Sequence, residues 1–290
     1  MTSYNRENYI AGSIESLLAS TYDNFELIIL DDSSTDRTVE IARSFAAKDG
    51  RIKVFVNEKN LGQFANRNKV ATLADGKYLK YLDSDDLLYP TGLETLVRMM
   101  ERFPEAGYGL CSLPQDDDRM YPFILGPAEA YERHFIKKIP LFHKAPLSSI
   151  ITRTAFRESG GFTNPLTEGD YEMWLNLSTV HKVVLMPEGV AWYRVHENQE
   201  DSARRKDPFV QFRHFLLTLK YLSEKCPLSP ELRRQAVAET NEEMAKYMTR
   251  AVVRHSPGKA AQMYRAANYS FGKYLRHSFG AVGRKLPFGK

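Results

Sequence analysis

Along the first two hundred residues the apolar positions switch between two periods. Residues 25–30 (FELIIL, broken only by Glu26), 52–56 and 78–82 are short, nearly continuous apolar runs, the pattern of strands buried on both faces. Between them, residues 8–20 carry Ile10, Ile14, Leu17 and Leu18 at helical spacing. Ser34 or Thr35 is placed to cap a helix through Val39, Ile41, Ala42 and Phe45, and residues 64–74 read as another helix. Strand–helix alternation of this kind predicts an α/β fold, a mostly parallel, Rossmann-like sheet with helices on both faces. Farther along, the pattern predicts a helix over 91–103, strands at 108–113, 148–152 and 183–186, and a helix over 167–180 with Trp174 and Leu177 inward. Residues 114–146 are rich in Pro, Asp and aromatics without a period and read as a long surface crossover. From about Pro208 the chain is helical, with Phe209, Phe212, Phe215, Leu216, Leu219 and Leu222 on one stripe. The polar stretch 200–208 reads as a linker, giving an α/β domain over 1–205 and a basic helical region over 206–290.

Composition narrows the class. An apolar fraction of 43% and a charged fraction of 26% are those of a globular domain. No run of eighteen apolar residues predicts a spanning helix, and the first residues lack a secretory layout. Cys111 and Cys226 form no metal or disulfide pattern, so a reducing cytoplasm is the expected setting. Charge is uneven. Residues 201–290 hold 18 Lys and Arg against 7 Asp and Glu, a net +11, whereas residues 1–200 hold 22 against 29, a net −7. The basic end, with Tyr and Phe among Arg, Lys and His at 260–279, predicts peripheral attachment to an anionic membrane surface or another polyanion. No nucleic-acid partner is expected.

Candidate chemistry collects where strands end. The run FELIIL leads into Asp31-Asp32-Ser33-Ser34, and KYLKYL leads into Asp83-Ser84-Asp85-Asp86. In open sheets of this class, ligands sit at the carboxyl ends of the strands. Two carboxylate clusters at neighbouring strand ends repel unless something positive lies between them. Asp oxygens are hard ligands, so Mg²⁺ or Mn²⁺ bridging carboxylates to substrate phosphates is the economical candidate.

Six ordered segments, TSYNRENYI, LIILDDSSTD, NLGQFANRN, YLKYLDSDDLL, GGFTNPLTEGDYEMWLNL and WYRVHENQ, resemble those of family 2 glycosyltransferases with the GT-A fold, over residues 2–200. The resemblance implies a metal-dependent inverting transfer of a sugar from a nucleotide diphosphate donor, a UDP-sugar in the commonest case. The implied acceptor is a glycan or a lipid-linked glycan of a cell-surface polysaccharide. By that match Tyr4 packs on the base, Asn5 lies beside it, and Asp31 and Asp32 meet base and ribose. Asn60 and Gly62 form a turn that lets the backbone approach, and Arg67 faces the nucleotide. Asp83 touches the ribose or the metal, Asp85 coordinates the metal, and His196 is a further metal or diphosphate contact. Asp170 is the catalytic base, with Glu168 and Trp174 on the acceptor side. Asp86 is left as a helix cap.

Two departures stand out. The family pairs Glu with Asp at the base, and here Gly169 occupies the Glu position. Relatives also begin with a buried strand before the TSYN segment, which is expected to be missing here, through a start at an internal methionine or replacement by another segment. The rival readings are a sugar nucleotidyltransferase, disfavoured by the lack of a Gly-rich, Lys-containing loop after a first strand, and a degenerate nucleotide-binding module without turnover. If the basic end docks on membranes, removing residues 251–290 should weaken co-sedimentation with anionic vesicles several-fold; equal binding by the shortened chain removes that role.

Overall fold

The computed structural model describes residues 1–163, 168–196, 207, 209–254, 262–263 and 265. The expected linker at 200–206, the start of the helix predicted from residue 167 and the basic stretch 266–279 lie outside them. The chain divides into two compact units, residues 1–130 with 140–196, and residues 131–139 with 197–290.

The first unit opens with a parallel three-stranded sheet in the order β1 (Thr2–Ser3), β2 (Leu27–Asp31), β3 (Ile52–Val56). Every residue of β2 is buried, as its unbroken Leu-Ile-Ile-Leu run requires of a strand covered on both faces. Helices α1 (Ile10–Leu18), α2 (Thr38–Ala46) and α3 (Gln63–Thr72) follow the three strands. Ile10, Ile14 and Leu17 pack with Leu27, Ile29, Ala42 and Ile52. Neither Ser34 nor Thr35 caps α2, whose N-cap position is Arg37 and carries no side-chain cap. Asp36 accepts from the Thr38 backbone N–H at 3.0 Å, while Ser34 is drawn to Asp31 instead.

The TSYN segment itself supplies two rungs of the sheet. Thr2 pairs with Leu30 and Ser3 with Asp31, and on its other side Thr2 bridges to Asp83. Beside Met1, a cavity of about 350 Å³ lies between β2 and the segment around β4 (Tyr78–Leu79), lined by Leu27, Leu79, Tyr81 and Leu82 among others.

The short β5 (Leu87–Leu88) pairs antiparallel with β10 (Ala191–Trp192), and α4 (Gly92–Glu101) follows β5. Because α4 starts at Gly92 behind Thr91, Asp86 caps no helix. A five-stranded sheet runs β4, β8 (Ser149–Thr152), β6 (Ala106–Leu113), β9 (Lys182–Pro187), β7 (Phe123–Leu125). Of its pairings only β6 with β9 is parallel, so among the described residues parallel pairing occurs in the β1–β3 sheet, in that one pair and at the Thr2–Asp83 bridge. The stretch expected to be irregular, 114–146, holds β7 and α5 (Pro127–Tyr131). Another helix absent from the expectations, α6 (Arg153–Ser159), starts on Thr152, whose hydroxyl accepts from Ala155 N–H at 3.1 Å, and stops at Gly160 in the left-handed region.

Helix α7 (Gly169–Leu177) carries the candidate base. A Cβ on Gly169 would lie 2.7 Å from the Phe64 ring, which explains why this chain has no side chain where the family pattern has Glu. In the second unit α8 (Phe209–Glu224) packs on α9 (Pro230–Arg254) through Phe212, Met244 and Met248. Among the described residues no helix is long and apolar enough to cross a membrane. Substituting Gly169→Ala should cost about 1–3 kcal/mol of stability by overpacking against Phe64; thermal denaturation measures it, and the double variant with Phe64→Leu should recover most of the loss.

Candidate functional site

The site forms where β1, β2 and the 79–83 segment end together. Asn5, at φ 51°, turns the chain out of β1; its side-chain oxygen accepts from Thr35 N–H at 2.9 Å, and its own N–H donates to Ser34 Oγ at 2.8 Å. Asp31 receives Ser3 Oγ at 2.9 Å, Ser34 N–H at 2.7 Å and Ser34 Oγ at 2.6 Å. These bonds fasten the loops after β1 and β2 to each other and leave the Tyr4 ring half-exposed at the rim.

Asp32 does different work from its expected contact with base or ribose. Its oxygens accept from Asn57 Nδ2, Leu61 N–H and Gly62 N–H at 2.8–2.9 Å, so this buried carboxylate anchors the loop ahead of α3. Gly62, at φ 83°, permits that approach, and Asn60 remains exposed beside it with its side-chain oxygen on Gly62 N–H.

Arg67 on α3 is buried. Its Nη2 donates to Asp83 Oδ2 at 2.8 Å and its Nη1 to Asp170 Oδ1 at 3.3 Å. The guanidinium also lies 5.7 Å and 5.9 Å from the Phe64 and Phe162 ring centroids. Burial works against its charge, but Asp83 and Asp170 outweigh burial and hold it firmly protonated. Asp83 additionally accepts from Thr2 Oγ1 at 3.3 Å.

Asp85 is met from two sides. Arg6 Nε donates to its Oδ2 at 2.9 Å, and His196 Nε2 lies 3.1 Å from the same oxygen. His196 stacks on Tyr9 with centroids 4.4 Å apart. Asp86 turns inward and accepts from Arg194 N–H at 3.0 Å, while Arg194 Nε donates to the Asp85 carbonyl at 2.8 Å. Burial, followed by the charges of Asp83 and Asp85, pushes the Asp86 carboxyl up to about 7. Arg6 and Arg194 were not singled out from sequence. Both lie inside recognised segments, but Arg6 meets the Asp85 carboxylate 79 residues away and Arg194 the Asp85 main-chain carbonyl 109 residues away, separations no local pattern reports.

Asp170 sits in the first turn of α7 and keeps part of its carboxylate exposed. Glu168 is buried just ahead of the helix. Trp174, expected on the acceptor side, belongs to the core instead: its ring is 0% exposed, its indole N–H donates to the Lys144 carbonyl at 2.6 Å, and it stacks on Tyr108. A residue at position 174 falls on the inward face of α7, so it offers no surface to a ligand.

Among the described residues no three His, Cys, Asp or Glu side chains form a ready cage for a metal ion. The donor set fits a divalent ion nonetheless. Asp85 and His196 already share one contact point, and Mg²⁺-type sites take one or two carboxylates and complete their shell with water and phosphate.

The sequence profile of glycosyl transferase family 2 matches residues 1–160. The chain belongs to that family. This family 2 glycosyltransferase is 32% identical over 212 residues to TuaG of Bacillus subtilis, a candidate teichuronic acid biosynthesis glycosyltransferase, covering 70% of this chain and 81% of TuaG. It is 30% identical over 217 residues to an uncharacterized glycosyltransferase of Haemophilus influenzae, covering 69% of this chain and 65% of that protein. It spans 16% of an uncharacterized Rickettsia felis glycosyltransferase, to which it is 46% identical over 98 residues. The fold matches Staphylococcus aureus TarS in complex with UDP-GlcNAc at TM-score 0.71, with 17% identity, over 98% of this chain and 82% of that one. It also matches the mannosyltransferase PcManGT of Pyrobaculum calidifontis in complex with GDP-Man and Mn²⁺ at TM-score 0.63, with 17% identity, over 98% and 86%. The expected GT-A architecture is thus the architecture of this glycosyltransferase.

Because the folded chain holds the Asp86 proton up to about pH 7 while the unfolded chain releases it near 4, folding is penalised progressively as pH rises between those values. In metal-free buffer, Asp86→Asn should leave thermal stability unchanged below pH 4 and raise it above pH 7.

Proposed function

We propose that this family 2 glycosyltransferase moves a sugar, with inversion at the anomeric carbon, from a UDP-sugar to a hydroxyl of a glycan or lipid-linked acceptor in cell-surface polysaccharide assembly. The observation that carries this reading is the link from Asp83 through Arg67 to Asp170. It sets one partly exposed carboxylate beside the cluster of donor-side carboxylates at the carboxyl end of the sheet. Asp170 takes the proton of the acceptor hydroxyl as that oxygen bonds to the anomeric carbon, and the bond from that carbon to the diphosphate oxygen breaks with its electron pair leaving on UDP. A positioned general base contributes about 10²–10⁴-fold to such a step.

Tyr4 gives the base a flat apolar face, Asn5 and Asp31 fix the loops that carry it, and Asn60 with Gly62 shapes the opposite wall. Mn²⁺ or Mg²⁺ on Asp85 and His196, with Asp83 nearby, would neutralise charge on the departing diphosphate. Support for a nucleotide-sugar donor comes from TarS with UDP-GlcNAc and PcManGT with GDP-Man and Mn²⁺. The polysaccharide setting is supported by the likeness to TuaG. The net +11 of residues 201–290 supports work at the anionic cytoplasmic face of a membrane, where a lipid-linked acceptor is presented.

Calorimetric titration with UDP, GDP and CDP, each with and without Mn²⁺, tests the donor site. UDP is expected to bind in a Mn²⁺-dependent way, and absence of binding by the folded chain overturns the reading. Asp170→Asn should keep donor binding and lose at least 10²-fold in transfer rate.

A further inference from the structure

Arg6 is held more firmly than a surface arginine. Its backbone N–H donates to Thr38 Oγ1 at 2.7 Å, and its Nη1 donates to the carbonyls of Tyr4 and Asn5, both at 3.1 Å. Its Nε then meets Asp85 Oδ2 at 2.9 Å, with both side chains largely shielded from water. His196 Nε2 approaches that same oxygen. One carboxylate oxygen therefore faces a permanent cation and an imidazole at once, in a partly dry site where Coulomb terms are several times larger than in water.

A divalent ion on Asp85 Oδ2 would have to share that oxygen or expel the guanidinium, and one on Oδ1 would still meet a like charge within a few ångströms. The phosphates of a nucleotide change that balance. They bring negative charge to the ion and give the planar guanidinium an anionic partner that its fork can grip through two oxygens. The loop that anchors Arg6 is also the loop that carries Tyr4, so the guanidinium is tethered beside the nucleotide site.

We infer that Arg6 is an internal counter-cation of Asp85 that opposes a divalent ion there, so that metal binding is strengthened by a nucleoside diphosphate. This rests on the metal reading proposed above and adds a residue that acts against the metal in the empty site and with the diphosphate in the filled one. Coupling between two ligands is reciprocal, so the same residue makes nucleotide binding depend on metal.

The test is Mn²⁺ binding, without turnover, by calorimetry on the full chain. Arg6→Gln removes the charge while its amide can still donate to the Tyr4 and Asn5 carbonyls, and Arg6→Lys keeps the charge. Arg6→Gln should bind Mn²⁺ alone about tenfold more tightly than the unaltered chain, and the gain in Mn²⁺ affinity on adding UDP should shrink by a similar factor. Arg6→Lys should stay close to the unaltered chain, and near-ultraviolet circular dichroism checks that both variants are folded. Equal or weaker Mn²⁺ binding by Arg6→Gln, with binding abolished by Asp85→Asn, overturns the role of Arg6 and leaves the metal site standing. If neither the unaltered chain nor Arg6→Gln binds Mn²⁺ even with UDP present, the metal reading itself falls and this inference with it.

Discussion

The Arg67 guanidinium is the constraint on which the site is built. It is buried between Asp83, sixteen residues away, and Asp170, 103 residues away, so it joins the 79–83 segment to the start of α7. A buried cation is tolerated only when it is paired, and losing one partner leaves the other charge stranded at a cost of about 3–5 kcal/mol. The neighbours of Arg67 follow from that need. Phe64 and Phe162 close over it, the Tyr81 hydroxyl donates to its carbonyl at 3.1 Å, and Gly169 gives up a side chain to make room for the Phe64 ring.

The carboxylates around Arg67 divide by their partners. Asp31 and Asp32 have several donors each and spend their lone pairs on the loops after β2 and β3. Asp86 faces inward and leans toward its neutral form. Asp83, Asp85 and Asp170 each keep some exposure and each contact an arginine. The positive charge that neighbouring acidic strand ends demand is thus supplied first by Arg67 and Arg6, both from the chain itself. Under the proposed function, a divalent ion would enter a field already close to balance, and a nucleoside diphosphate, with its own negative charge, would suit such a field better than a metal alone.

Much of this was legible in the sequence. The unbroken apolar run of β2 could be nothing but a doubly covered strand, β3 emerged at its expected bounds, and acidic residues at strand ends pointed to the ligand edge without any coordinates. The segments around Tyr4, Asp31, Asp83 and Asp170 named the family because their order and spacing are themselves sequence properties. Gly169 was visible as a departure, but its reason, the Phe64 ring 2.7 Å from where a Cβ would lie, was not.

What the sequence determined by itself was the strand–helix alternation of the first hundred residues, the sheet edge where acidic residues collect, and the residue types available there, because local periodicity and strand ends are short-range features. Which side chain faces which was decided only by the tertiary structure. Asp32 turned to hold a loop, Trp174 turned into the core, Arg6 reached the Asp85 carboxylate 79 residues away, and Arg194 reached the Asp85 main-chain carbonyl 109 residues away. Such pairings follow from how the β1–β3 sheet meets the 79–86 segment, and from the free-energy cost of leaving any buried charge without a partner, which no stretch of sequence states on its own.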